Sequence, residues 1–175
     1  MKVDKVLMAL GFATEAHTGQ VRKYTGEDYI NHPIEVMNIV RSVPHTEDML
    51  CAALLHDVVE DCGVQLGEIF DIFGPDVTYM VNDLSDASTP SDGNRAARKT
   101  IDRNWIAGAK ARSKTIKLAD LISNSKSICE HDKDFAKVYI KEKELLLEVL
   151  TEGDPALYAQ AKDIVEKAKK ELGIE

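Results

Sequence analysis

The sequence predicts an all-α protein, a single compact helical domain. Apolar residues recur at three- and four-residue spacing through most of the chain, which places them on one side of a helix. Alanine, leucine, isoleucine, glutamate and lysine dominate, and aromatic residues make up only 6%, a composition that favours helices. No segment reads convincingly as a strand, as an internal repeat or as low complexity. At 175 residues, 44% hydrophobic and 30% charged, the chain is long enough to bury one real core.

Taken in order, residues 3–17 set Val6, Leu7, Leu10, Ala13 and Ala16 at helical spacing and predict the first helix. His17 to Tyr29 is polar and punctuated by Gly19 and Gly26, so it reads as a loop. It closes on Ile30-Asn31-His32-Pro33. Proline suits the first turn of a helix, so a helix runs from Pro33 to about Ser42 with His32 at its cap. After Pro44, Thr46-Glu47-Asp48 supplies a capping residue and then acids for a first turn, and that helix continues to about Asp61. Val64 to Phe73 and Asp76 to Leu84 follow, separated by Gly74-Pro75. Ser85 to Asn94 is the clearest loop. Helices are expected from about Arg95 to Ala111, Ser113 to Ile128, Asp132 to Leu150 and Pro155 to Leu172. The last two are rich in charge and expected to be partly peripheral, outside a motif-bearing core of about residues 3–130.

The net charge of −8 argues against a nucleic-acid binder held by a broad basic surface. It leaves room for a small phosphorylated ligand, because a divalent metal and a few local cations can reverse the field inside one cleft. Cys51, Cys62 and Cys129 are odd in number and lack zinc-ligand spacing. They read as reduced thiols, with Cys51 in the core. No basic segment followed by an apolar run opens the chain, and no apolar run reaches membrane-spanning length. The cytoplasm is the expected location.

One stretch carries more charge than its setting explains. Within an apolar run from Met49 to Val59 stand His56 and Asp57, followed a turn later by Glu60 and Asp61. On a continuous helix His56 and Glu60 would share one face, and Asp57 and Asp61 another. Such groups are costly to bury unless they are paired or bind metal. A second stretch, Thr115 to Asn124, sets Asp120 and Asn124 at i and i+4 beside an apolar face of Ile116, Ala119 and Ile122. Together His32, His56, Asp57 and Asp120 form a set of two histidines and two carboxylates. Such a set suits Mn²⁺, Fe²⁺, Co²⁺ or Zn²⁺ better than Mg²⁺ or Ca²⁺.

The order His32, His56-Asp57, Asp120 resembles the HD superfamily of metal-dependent phosphohydrolases. Four blocks narrow the resemblance: His17 to Lys23, Tyr29 to Pro33, Ala53 to Asp61, and Lys117-Leu118-Ala119-Asp120. In order and spacing they are similar to the (p)ppGpp hydrolase domain of the Rel/SpoT enzymes and to the small stand-alone alarmone hydrolases. The resemblance implies that His32, His56, Asp57 and Asp120 hold one Mn²⁺, with other divalent transition metals as substitutes. It implies that Glu60 and Asp61 position and activate the attacking water. The reaction it implies removes the 3′-pyrophosphate of a (p)ppGpp-type nucleotide, giving GDP or GTP and pyrophosphate. By the same resemblance, Arg22 and Lys23 face the nucleotide and Asn124 contacts its ribose or phosphate end. The chain is then expected to be a small hydrolase without synthetase or regulatory domains.

Departures from the family pattern fall at the substrate end. Leu121 stands where a basic residue usually follows the last metal aspartate, Lys126 where an arginine is frequent, and Cys62 where threonine is usual. Lysine cannot make the bidentate clamp of arginine, so Lys126 is a weaker phosphate grip. Two other readings keep the same residues: an HD phosphohydrolase acting on ppApp, a nucleoside monophosphate or NADPH, and an inactive nucleotide-binding sensor. His131-Asp132 is a second doublet read as a helix start, His17 and His45 as structural or exposed, and Trp105 as core.

Overall fold

Asp4 starts the first helix: its carboxylate accepts from the amides of Val6 and Leu7 at 2.9 and 3.2 Å, filling two of the orphan donors of a helix N-terminus. The structure, a computed structural model, describes residues 4–174. Helix α1 spans Lys5–Ala16, so Val3 of the expected helix lies outside the described residues. The chain divides into two compact units, Met1–Ser85 and Asp86–Glu175.

The first unit is built around α3 (Glu47–Leu55), capped by Thr46, whose hydroxyl accepts from Met49 N at 3.2 Å. Every residue from Met49 to Leu55 is buried, as expected of a helix that is apolar all round. Leu54 and Leu55 are fully buried, each stabilising the unit by about 1.5–3 kcal/mol. Helices α1, α2 (Asn31–Arg41) and α6 (Pro75–Leu84) pack against it. Two expectations are corrected here. His32 lies inside the first turn of α2 rather than at its cap. The helix expected to run on to Asp61 stops at Leu55, and a short helix α4 (Val58–Cys62) starts afresh after His56 and Asp57. Helix α5 (Leu66–Phe73) then packs on α6, with Gly74 at φ 81° between them.

In the second unit the expected loop holds a 3-10 turn, Pro90–Asp92, closed by reciprocal hydrogen bonds between Thr89 and Asp92. Asn94 caps α7 (Arg95–Ala107), and α8 (Ala111–His131), α9 (Lys133–Leu147) and α10 (Pro155–Leu172) complete the unit. The two C-terminal helices are less peripheral than their charge implied. Both pack on α8, burying Ala136, Tyr139 and Ile140 from α9 and Leu157, Ala161 and Val165 from α10. A Cβ at Gly153 would lie 2.6 Å from Leu118 Cδ1 and 3.2 Å from Leu150 O, so any side chain there would have to displace its neighbours. Cys51 is fully buried as expected. Trp105 is not core: it is 44% exposed. Asp132 caps α9, accepting from Phe135 N at 3.1 Å, which accounts for the second His-Asp doublet. Among the described residues there is no strand, and no helix is long and apolar enough to cross a membrane.

Candidate metal centre

The break after α3 creates the geometry of the site. At His56 the backbone is still helical (φ −61°, ψ −29°), and Asp57 turns it (φ −101°, ψ −6°) into α4. His56 Nδ1–H donates to the carbonyl of Ala53 at 2.7 Å. A carbonyl can only accept, so Nδ1 carries the proton and Nε2 presents its lone pair, the tautomer a metal-binding imidazole needs. His32 enters from the first turn of α2, its ring meeting that of His56 edge to face at 5.2 Å. Both histidines are 2% exposed. Asp57 Oδ2 lies 3.1 Å from His56 Nε2 and 3.7 Å from His32 Nε2. Two imidazole nitrogens and one carboxylate oxygen therefore stand within 4.8 Å of one another. This group can hold a divalent metal, and its mixed nitrogen and oxygen donors fit a transition ion.

Tyr29, to which the sequence assigned no role, anchors the carboxylate. Its hydroxyl donates to Asp57 Oδ2 at 2.7 Å. Burial, reinforced by the charge of Asp57, pushes the phenol far above its ordinary pKa, so it stays a donor. The His17 ring lies against Tyr29 at 4.7 Å, and the Arg22 guanidinium stands 5.9 Å from the Tyr29 ring centre. His17 is buried rather than exposed, with Nδ1 2.8 Å from Gln20 Oε1 and 3.3 Å from Cys62 Sγ. Gln20 Nε2 in turn donates to the carbonyl of Asp61 at 3.1 Å. The connecting loop is pinned by an isolated antiparallel bridge, Val21 to Asp28, and by Tyr29 N donating to Gln20 O at 2.9 Å. No local sequence signal marks the Tyr29 contact, because it depends on this loop closing over residues distant in the chain.

The expected water-handling pair sits on α4 as an exposed couple, Glu60 and Asp61. Partial burial, then the nearby charge of Asp57, raises the carboxyl pKa of Asp61, while Tyr29 draws it back down. Glu60 and Asp61 therefore lie in the same unit as the two histidines, and Asp61 shares Tyr29 with Asp57. Lys23 is exposed, its ammonium 3.3 Å from Tyr24 Oη.

Asp120, Asn124 and Lys126 belong to the second unit, on α8. Asp120 is 7% exposed. Asn124 Nδ2 donates to its Oδ1 at 2.7 Å, and Lys117 Nζ lies 3.1 Å from its Oδ2. The i, i+4 pairing of Asp120 with Asn124 is thus as the sequence predicts, and it gives a buried carboxylate the partners it requires. Lys126 is exposed.

The model of the HD domain family matches residues 9–145. The chain is 35% identical over 127 residues to the guanosine-3′,5′-bis(diphosphate) 3′-pyrophosphohydrolase MESH1 of Drosophila melanogaster, covering 71% of this chain and 69% of that one. It is 34% identical over 124 residues to the probable GTP pyrophosphokinase of Mycobacterium leprae, covering 70% of this chain but only 16% of the much longer relative. Among solved structures it is similar to a metazoan SpoT orthologue described as hydrolysing ppGpp and acting in starvation responses. That match has a TM-score of 0.85 at 27% identity and covers 95% of this chain and 97% of the other. The blocks that suggested the family from sequence lie within the matched span, and the chain belongs to the HD-domain family, with the MESH1 hydrolases among its relatives.

Proposed function

We propose that this protein hydrolyses the 3′-pyrophosphate of guanosine (p)ppGpp-type alarmones to GDP or GTP and pyrophosphate, with residues 1–175 acting as one hydrolase domain. The observation that carries the reading is the convergence of His32, His56 and Asp57, with the His56 tautomer set by Ala53 and Asp57 held by Tyr29. The likeness to MESH1 over most of both chains supports the substrate class.

In this reading His32, His56, Asp57 and Asp120 hold Mn²⁺. When bound, the metal lowers the pKa of water and offsets charge on the phosphoryl oxygens. Glu60 and Asp61 orient the attacking water and take its proton. Water adds to the phosphorus beside the ribose 3′ oxygen, that P–O bond breaks, and the proton returns to the departing 3′ oxygen. Arg22 and Lys23 meet the nucleotide, Lys126 supports its phosphate end as a point charge, and Asn124 orients Asp120 and the nucleotide together. The cytoplasm is the proposed setting.

The test is incubation of the purified protein and its Asp57→Ala variant with ppGpp, ppApp, nucleoside monophosphates and NADPH, with Mn²⁺ or with EDTA. Metal-dependent pyrophosphate release from ppGpp, lost in the variant, is expected. Faster turnover of another nucleotide would reassign the substrate. Absence of turnover on all of them, with metal bound, would leave a nucleotide sensor.

A further inference from the structure

A second feature lies in the unit Asp86–Glu175, between α7 and α9. It is a groove of about 330 Å³ formed by one stripe of each helix. From α7 come Ala96, Lys99, Thr100 and Arg103, at i, i+3, i+4 and i+7. From α9 come Val138 and Leu145, which leave 49% and 44% of their surface exposed. Val138 and Leu145 thus form an aliphatic floor open to water along one line of α9.

The rim is basic. Lys99 is engaged by Asp86 at 2.9 Å and Asp102 at 3.2 Å. Glu142, the acid of the groove, is gripped by the Arg95 fork at 2.7 and 2.9 Å. Arg103, Lys137 and Lys141 make no ion pair among the described residues, although the chain carries a net charge of −8. Three cations without partners on an acidic protein, beside an aliphatic floor, point to an anionic and amphipathic occupant.

We propose that this groove docks an acidic amphipathic helix of a partner protein. Lys137 and Lys141 stand one helical turn apart on one wall, with Arg103 on the other. Val138 and Leu145 are seven residues apart, about 10 Å along the axis. A helix with apolar residues at i, i+3, i+4 and i+7 lays that face on the floor, and its flanking carboxylates then meet cations on both walls. No aromatic side chain lines the groove, so it offers no platform for a nucleotide base. The attraction is local and sensitive to salt, because it is carried by exposed cations whose pairing with the partner's carboxylates is screened as ionic strength rises.

The probe is a fluorescein-labelled synthetic peptide of about four helical turns, with leucines at i, i+3, i+4 and i+7 and glutamates flanking them. Its anisotropy is measured with the full chain as salt is raised. Saturable binding that weakens with salt is expected. Combined Lys137→Glu and Lys141→Glu substitution should weaken it about tenfold or more, and Leu145→Ser should weaken it while leaving its salt dependence. Neither variant should change ppGpp turnover or the melting curve. Absence of peptide binding overturns the proposal, as does equal binding of a shuffled peptide of the same composition. Binding of inorganic polyphosphate or of phosphatidylglycerol vesicles through the same lysines, where the peptide fails, replaces it.

Discussion

Tyr29 donates its phenol proton to the Asp57 oxygen that also faces both histidines. That bond fixes the carboxylate in one rotamer and leaves its lone pairs aimed at the donor group. Tyr29→Phe removes the bond and little volume. It should weaken Mn²⁺ binding or turnover roughly tenfold, read by titration calorimetry and by pyrophosphate release, with folding intact by circular dichroism. Equal metal affinity and equal rate would leave Tyr29 as packing alone. Glu60→Gln separates chemistry from metal binding. It keeps size and hydrogen bonding but cannot take a proton, so turnover should fall about 100-fold or more while Mn²⁺ affinity stays within a few-fold. An unchanged rate would remove Glu60 from the mechanism. At this scale His56 and Asp57 were legible because ionisable groups in apolar surroundings demand a partner, and His32 because Pro33 pins it to a helix start. Tyr29 was not, because its contacts depend on how residues 18–30 fold back, whereas His17, read as structural or exposed, is the buried, hydrogen-bonded structural residue.

Among the elements, the break between α3 and α4 is the departure with functional weight. Met49 to Val59 is apolar enough that periodicity predicts one helix, and no glycine or proline interrupts it. The chain nonetheless leaves the helix at His56 and Asp57, and the carbonyl of Ala53 accepts from the imidazole instead. Helix periodicity carries no information about a side chain competing for a backbone acceptor, so the break was invisible. Trp105 was misplaced for a related reason, since apolarity alone does not tell which side of α7 is covered. In the second unit, Gly153 sits against α8 where a Cβ would come within 3.2 Å of backbone atoms of Leu150 and Lys114. Gly153→Ala should cost about 1–3 kcal/mol through overpacking. A lower urea midpoint with an unchanged slope is the expected reading. An unaltered midpoint would show that the 150–154 turn yields at no cost.

For the molecule as a whole, the family and the all-helical class were readable because four motif blocks occur in order, whereas the division at Ser85 was not. No linker composition marks it, and a loop such as Ser85 to Asn94 looks alike within a unit or between two. Stability should respond to pH through Lys143 on α9. Its ammonium lies 4.7 Å from the Tyr139 ring centre, and burial, then the charge of Lys117, lowers its pKa to about 8. A base whose folded pKa lies below its unfolded value destabilises the fold while both forms are charged. The unfolded chain binds more protons between about pH 8 and 10.5, so this group's contribution to unfolding free energy rises across that window. Lys143→Met should therefore be more stable than the parent near pH 7, and the difference should shrink toward pH 10. A difference constant with pH would mean that Lys143 titrates normally.

Metal should act on stability in the same terms. An ion that binds only the folded chain adds RT ln(1 + [L]/Kd), about 2.7 kcal/mol at a hundredfold excess over Kd. For a chain of this length that corresponds to a rise in melting temperature of roughly 5–10 °C. Mn²⁺ should produce the rise relative to EDTA. His56→Gln and Asp57→Ala should abolish it, each removing a donor from the group around Tyr29. Asp120→Asn keeps the side chain's shape, so a reduced rise in that variant would count Asp120 among the ligands. A full rise would leave it outside the metal site, hydrogen-bonded to Asn124 and paired with Lys117 on α8.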